Sequence, residues 1–152
     1  MAQNGSEFDL DCFLPYLLNQ AAEATSQGFQ AIYKERHGMT RTQWRVLAHV
    51  GKFGTITARQ ICANAHIEKT KVSRAIRALE NADVLVRVAG EDDRRTERLS
   101  LTQNGKAIYA QLGQLALNYD EHIRQLLGLE NVVQLESLLH QLRSMTADTG
   151  KR

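Results

Sequence analysis

The chain has 152 residues, 43% of them apolar, with a formal net charge of +2. That suffices for one core, or one core with an extended helical arm, and excludes a disordered chain. No run of 18 apolar residues exists, which excludes a membrane-spanning helix, and a charge this close to balance means that any nucleic-acid role must come from clustered basic groups. Cys12 and Cys62 lie far apart and in no CxxC pattern, so neither a zinc site nor another metal or cofactor site is expected. The polar, acidic start MAQNGSEFDLD is unlike a signal or transit peptide, and the expected location is the cytoplasm.

Residues 1–10 read as a flexible tail. A long helix is expected from about Asp11 or Cys12, because Pro15 fits a first turn but not a helix interior. Its apolar face includes Leu14, Leu17, Leu18, Phe29, Ile32 and Tyr33, and Gly38 is its stop. Thr40-Arg41-Thr42-Gln43 is a capping box, with Met39 and Trp44 placed as a hydrophobic staple. The helix it opens is expected to reach about Gly51 and to bury Trp44, Leu47, Ala48 and Val50. The same device recurs at Thr57-Ala58-Arg59-Gln60, with Ile56 and Ile61 as the staple, and opens a short helix ending near Asn64. After a turn through Ala65-His66-Ile67, a helix from about Glu68 to Asn81 turns Val72, Ile76 and Leu79 inward and Lys69, Thr70, Ser73 and Arg77 mainly outward.

Leu85–Ala89 and Glu97–Leu101 alternate in part and flank Gly90-Glu91-Asp92-Asp93-Arg94-Arg95, which suits a hairpin tip. Thr102 caps a further helix whose stripe (Ile108, Leu112, Leu115, Tyr119, Ile123, Leu126) runs to Gly128, and Val132, Leu135, Leu138, Leu139 and Leu142 form another. The terminal helices carry more apolar face than the central segment can cover, and a second copy of the chain would cover the surplus. The expected fold is mainly α with a small β-wing: a winged helix-turn-helix lobe over 39–102, with helical dimerisation segments over 11–38 and 103–147.

A helix, a tight turn and a second helix can place the second helix in a DNA major groove. Thr70, Lys71, Ser73 and Arg74 then face base edges, Arg74 being able to read guanine through two hydrogen bonds. Lys69, Lys71 and Arg77 suit phosphates, and the helix N-termini near Thr57 and Glu68 offer amides to them. Arg94 and Arg95 crowd the hairpin tip, where a wing can present Arg94 to the minor groove while Asp93 braces an arginine. Glu68, Glu80, Glu91 and Asp92 offset these charges, so the order of elements argues more strongly than the charge.

The segments MTRTQWRVLAHV (39–50), TARQICANAHIEKTKVSRAIRALENADVLVR (57–87) and DRRTERLSLTQNG (93–105) resemble the MarR family of winged helix-turn-helix regulators. Ala82-Asp83 departs from the charged residue and Gly that relatives commonly carry before the wing strand. The resemblance implies a homodimer of triangular outline on a pseudo-palindromic operator in double-stranded DNA, acting most often as a repressor. It also implies a small-molecule effector, often an aromatic acid or phenolic, held between the dimerisation helices and the DNA-binding lobe. Tyr33, His37, Trp44, Arg45 and His49 lie near that junction in sequence, where a ring and a cation can hold an aromatic carboxylate.

Three other readings compete. Cys12, in DCFLPY, is similar to the reactive cysteine of peroxide-sensing relatives, but two of their supporting tyrosine positions read Arg41 and Trp44 here. A helical interaction module without DNA is the second. Catalysis is the third and has least support: His37, His49, His66, His122 and His140 fall on different elements without ligand spacing, and no nucleophile motif or Gly-rich phosphate loop is present.

Overall fold

The computed structural model describes residues 7–90, 93 and 95–149. A 3-10 turn at Leu10–Cys12 precedes α1 (Leu14–His37), α2 (Arg41–Phe53), β1 (Thr55–Ile56), α3 (Ala58–Ala65), α4 (Lys69–Asn81), β2 (Leu85–Ala89), β3 (Glu97–Leu101), α5 (Gln103–Leu127) and α6 (Leu129–Thr149). Helix α1 begins two to three residues later than expected. The Asp9 carboxylate takes the Asp11 N–H at 3.0 Å and closes a separate turn, and Phe13 is extended, so the α-helix starts at Leu14 with Pro15 in its first turn. It ends at Gly38, whose φ is 62°.

Both capping boxes form. The Thr40 hydroxyl accepts the Gln43 N–H at 3.2 Å while the Gln43 side chain accepts the Thr40 N–H at 3.1 Å. The corresponding pairs at Thr57 and Gln60 are 3.1 and 3.0 Å. Each satisfies two otherwise orphaned amide donors. Helix α2 runs past Gly51 to Phe53, and Gly51 lies inside it against the Tyr109 ring of α5, which a Cβ would overlap. Its buried side chains are Val46, Leu47 and Val50, whereas Trp44 and Ala48 are half-buried.

Helix α3 closes on His66, a non-glycine residue at φ 52°. In α4, Val72, Ala75, Ile76 and Leu79 are buried, which is the inward stripe read from the sequence with Ala75 added. The hairpin strands have the expected bounds, with Leu85 opposite Leu101 and Arg87 opposite Leu99. A third strand, β1, was not anticipated. It pairs with β3, giving the order β1-β3-β2 and placing Ile56 opposite Leu99, both buried.

The departure at Ala82-Asp83 is accommodated by Asp83 itself, which adopts φ 55°. Asp is among the few side chains that tolerate this region. The Asp83 carbonyl accepts the Thr102 hydroxyl at 2.5 Å and the Asn104 amide at 3.2 Å, so the turn out of α4 is fastened to the start of α5. Gly105 sits against the Val84 carbonyl there, where any Cβ would collide with backbone.

The chain divides within α5 into two compact units, one ending at Leu112 and one beginning at Gly113. In the second unit, Arg124 bonds Asp120 at 2.6 Å and Glu136 at 2.7 Å, joining α5 to α6. Among the described residues no helix is long and apolar enough to cross a membrane.

Candidate nucleic-acid interface

Because Val72, Ala75, Ile76 and Leu79 anchor α4 in the core, its other side is left to solvent. Lys69, Thr70, Lys71, Ser73, Arg74 and Arg77 are all exposed, and all but Lys71 line one shallow concavity. Among the described residues no carboxylate pairs with Lys69, Lys71, Arg74 or Arg77. That is unlike Arg41, Arg87 and Arg124, each of which is held by one or two carboxylates. The N-cap residue of α4, Glu68, makes no side-chain cap bond, so the first-turn amides carry no capping acceptor from it.

A second concavity is lined by Ala58, Arg59, Cys62, Lys69 and Ser73. It joins α3 to the start of α4 and brings in Arg59, which the sequence reading did not single out. The available signal was its place inside the second capping box, beside Thr57. Thr57 itself is half-buried, and its hydroxyl is engaged with Gln60.

At the wing, Asp93 bonds the main chain and the Thr96 hydroxyl. Its carboxylate accepts the Arg95 N–H at 2.9 Å and the Thr96 hydroxyl at 3.3 Å, and its carbonyl accepts the Thr96 N–H at 3.0 Å. Gly90 N–H reaches the Thr96 carbonyl at 3.0 Å and closes the loop. Arg95 is exposed. Arg94 lies outside the described residues. Arg87, on β2 of the same hairpin, is ion-paired with Glu80 and Glu97.

Of the five residues near the α1–α2 junction, two come together as an aromatic cluster and the others are tied elsewhere. Tyr33 stacks on Trp44, with ring centroids 5.8 Å apart, and Phe29 meets both edge-on at 5.4 and 5.1 Å. Burial raises the Tyr33 hydroxyl pKa, opposed by the charges of Arg41 and Arg45. The Arg45 guanidinium donates to the Ala65 carbonyl, and His49 Nδ1 lies 2.6 Å from the Arg45 carbonyl. His37 is 2.9 Å from Gln111. Phe29 was the aromatic missed as part of this group; its spacing of four from Tyr33 was the signal.

Cys12 is exposed, and its hydrogen bond with Asp9 pushes the thiol pKa up. An activated thiolate requires the opposite shift. Among the described residues no group of three or more His, Cys, Asp or Glu side chains could hold a metal ion.

The MarR family model matches residues 37–96, which hold α2, α3, α4 and β2. The HTH-type transcriptional regulator FarR of Neisseria gonorrhoeae is 29% identical over 125 residues, 82% of this chain and 85% of that protein. The homoprotocatechuate degradative operon repressor of Escherichia coli is 25% identical over 134 residues, 88% of each chain. The solved structure of NadR in complex with 4-hydroxyphenylacetate has a TM-score of 0.79 at 25% identity, covering 90% of this chain and 99% of that one. These relatives are transcriptional regulators rather than enzymes. The matched segment coincides with the capped helices, the exposed basic face of α4 and the strand that leads into the wing, and it is over this segment that the chain is similar to the MarR family of transcriptional regulators.

Proposed function

We propose that the protein is a sequence-specific repressor that binds a pseudo-palindromic operator as a homodimer and is released by a small aromatic acid. The observation that carries the DNA reading is the contrast on α4: a buried apolar stripe fixes the helix, while four cations on its exposed face have no carboxylate partner among the described residues. In this reading Thr70, Lys71, Ser73 and Arg74 face base edges, with Arg74 the strongest discriminator. Lys69, Lys71, Arg77 and the amides near Thr57 hold phosphate. Arg94 and Arg95 reach the neighbouring minor groove from a tip shaped by Asp93.

Exposed Leu10, Phe13, Leu14 and Leu17 at one end, and Leu126, Leu129, Val133 and Leu138 at the other, support dimerisation through residues 11–38 and 103–147. The effector class rests on two similar proteins, one a homoprotocatechuate operon repressor and the other seen with 4-hydroxyphenylacetate. It also rests on the Tyr33–Trp44 stack with Arg41 and Arg45 near it. His37 and His49 lie four and five residues from Tyr33 and Trp44 in sequence. A redox role for Cys12 gains no support from a thiol whose pKa is raised.

The test is binding to a duplex selected from random sequence, with and without 4-hydroxyphenylacetate. Arg74→Ala should cost about 1–3 kcal/mol and relax preference at one position per half-site. Lys69→Ala should weaken all sequences alike and lower the salt slope by about 1. If both substitutions are silent, α4 is not the recognition helix. If the aromatic acid leaves affinity unchanged across a concentration series, the effector class is wrong.

A further inference from the structure

Arg87 in β2 lies on the hairpin that carries the wing, yet its surroundings point away from a DNA contact. Its guanidinium makes two bonds to Glu80 of α4, at 2.7 and 3.3 Å, and one to Glu97 of β3, at 2.5 Å. One cation thus faces two carboxylates, and the cluster carries a net negative charge that does not attract phosphate. Its stabilising effect on the fold is also small, since the Arg87, Glu80 and Glu97 side chains are 46, 26 and 65% exposed and such pairs are weak in water. What the cluster does have is geometry. Glu97 lies diagonally across the hairpin from Arg87 on the same face, and Glu80 lies on the last turn of the helix that carries the recognition residues.

The hairpin leaves α4 through a short turn, Ala82-Asp83-Val84, with Asp83 in the left-handed region. The turn, the buried Val84, Leu85 and Leu99 and the β1–β3 pairing hold the base of the hairpin, and contacts farther along the strands set its tilt against α4. The bidentate Arg87–Glu80 contact bridges seven residues across the turn and resists that tilt, and the Glu97 contact extends the restraint to the second strand. The recognition helix and the wing must engage neighbouring grooves at once, so their relative angle matters for binding although the cluster touches no DNA.

We infer that Arg87 is a positioning residue for operator recognition: with Glu80 and Glu97 it sets the angle between α4 and the β2–β3 wing. This rests on the DNA reading above. Anisotropy titrations on the selected operator duplex should show Arg87→Ala and Glu80→Gln each weakening binding about tenfold, the scale of one broken side-chain network. The double variant should be no weaker than either single one, and the charge-swapped pair Arg87→Glu with Glu80→Arg should recover most of the loss. Hydroxyl-radical footprints of the single variants should lose minor-groove protection and keep the protection due to α4.

Simple electrostatics predicts the opposite sign for Glu80→Gln, because removing an anion beside a polyanion tightens binding. Tighter or unchanged binding by that variant overturns the proposal. So does a salt slope lowered by about 1 in Arg87→Ala with Glu80→Gln silent, which is the signature of a direct phosphate contact. Glu80→Gln keeps the size and acceptor oxygen of the side chain, so it carries the test if Arg87→Ala fails to fold. Wild-type protein that binds no selected duplex overturns the DNA reading and this inference with it; wild-type binding with silent variants overturns the inference alone.

Discussion

Leu17→Glu in α1 and Leu138→Glu in α6 are each expected to convert the protein to a monomer and to weaken operator binding by about 10²–10⁴-fold. Each side chain is roughly half exposed, at 46 and 57%. A carboxylate there costs the isolated chain little, since surface substitutions usually stay within about 0.5 kcal/mol. In a dimer interface the same carboxylate would be buried without a partner, which is far more costly. Once the copies separate, the second half-site no longer binds at the high effective concentration that linkage to the first supplies, and that linkage is worth about 10²–10⁴ in affinity. Sedimentation equilibrium reads the mass and anisotropy reads the affinity. A variant that remains a dimer with full affinity would show that its residue lies outside the interface. If wild-type protein sediments as a single chain, the dimer reading fails.

Gly105→Ala is expected to be the most damaging single-methyl addition in the first unit. Gly105 is buried, and its Cα lies against the Val84 carbonyl, which also accepts the Thr102 N–H at 3.1 Å. A methyl group there meets backbone on one side and the Thr102 hydroxyl on the other, and neither can swing aside as a long side chain can. Overpacking of this kind costs about 3 kcal/mol at its upper end, or a fall of about 6–12 °C in Tm for a chain of this size. Gly113→Ala, eight residues along the same helix, is the control. A Cβ at that position meets nothing within 4 Å, so the change should stabilise by about 0.5–1 kcal/mol through helix propensity. Thermal melts that move both variants in the same direction would show that the Gly105–Val84 contact is not what limits the site.

These two glycines show what could be read from the sequence and what could not. Features set by neighbours in sequence were legible. The reciprocal bonds at Thr40–Gln43 and Thr57–Gln60, the stop at Gly38, the Val72-Ile76-Leu79 stripe and the bounds of the hairpin strands all depend on residues within a few positions. Features set by distant partners were not. Gly51 looked like the end of α2 because nothing local says that the Tyr109 ring lies on it. Strand β1 is two residues long and is defined only by its pairing with β3, more than 40 residues away.

The site divides along the same line. The exposed face of α4 follows from the inward stripe, and the sequence was enough to list it. The fates of individual charges were not legible, because they depend on tertiary partners. Arg87 and Arg95 belong to the same hairpin in sequence and both are exposed, yet Arg87 is ion-paired with Glu80 and Glu97. The bonds that Arg45 and His49 make to backbone carbonyls were not legible either. The bonds from Asp93 to the Arg95 N–H and the Thr96 hydroxyl were likewise not read from the sequence.

In the proposed function a pair of α4 helices reads one palindromic duplex. The most direct measurement is a hydroxyl-radical and dimethyl-sulfate footprint of wild-type protein on the sequence it selects from random duplexes, taken across a salt series. Two major-groove half-sites should be protected, their centres about one helical turn apart or a multiple of it, with minor-groove protection on their flanks. Affinity should fall about a thousandfold or more between 50 and 200 mM salt, the behaviour of a protein that releases several counterions. A single protected half-site, protection without major-groove contact, or binding indifferent to salt would contradict the account.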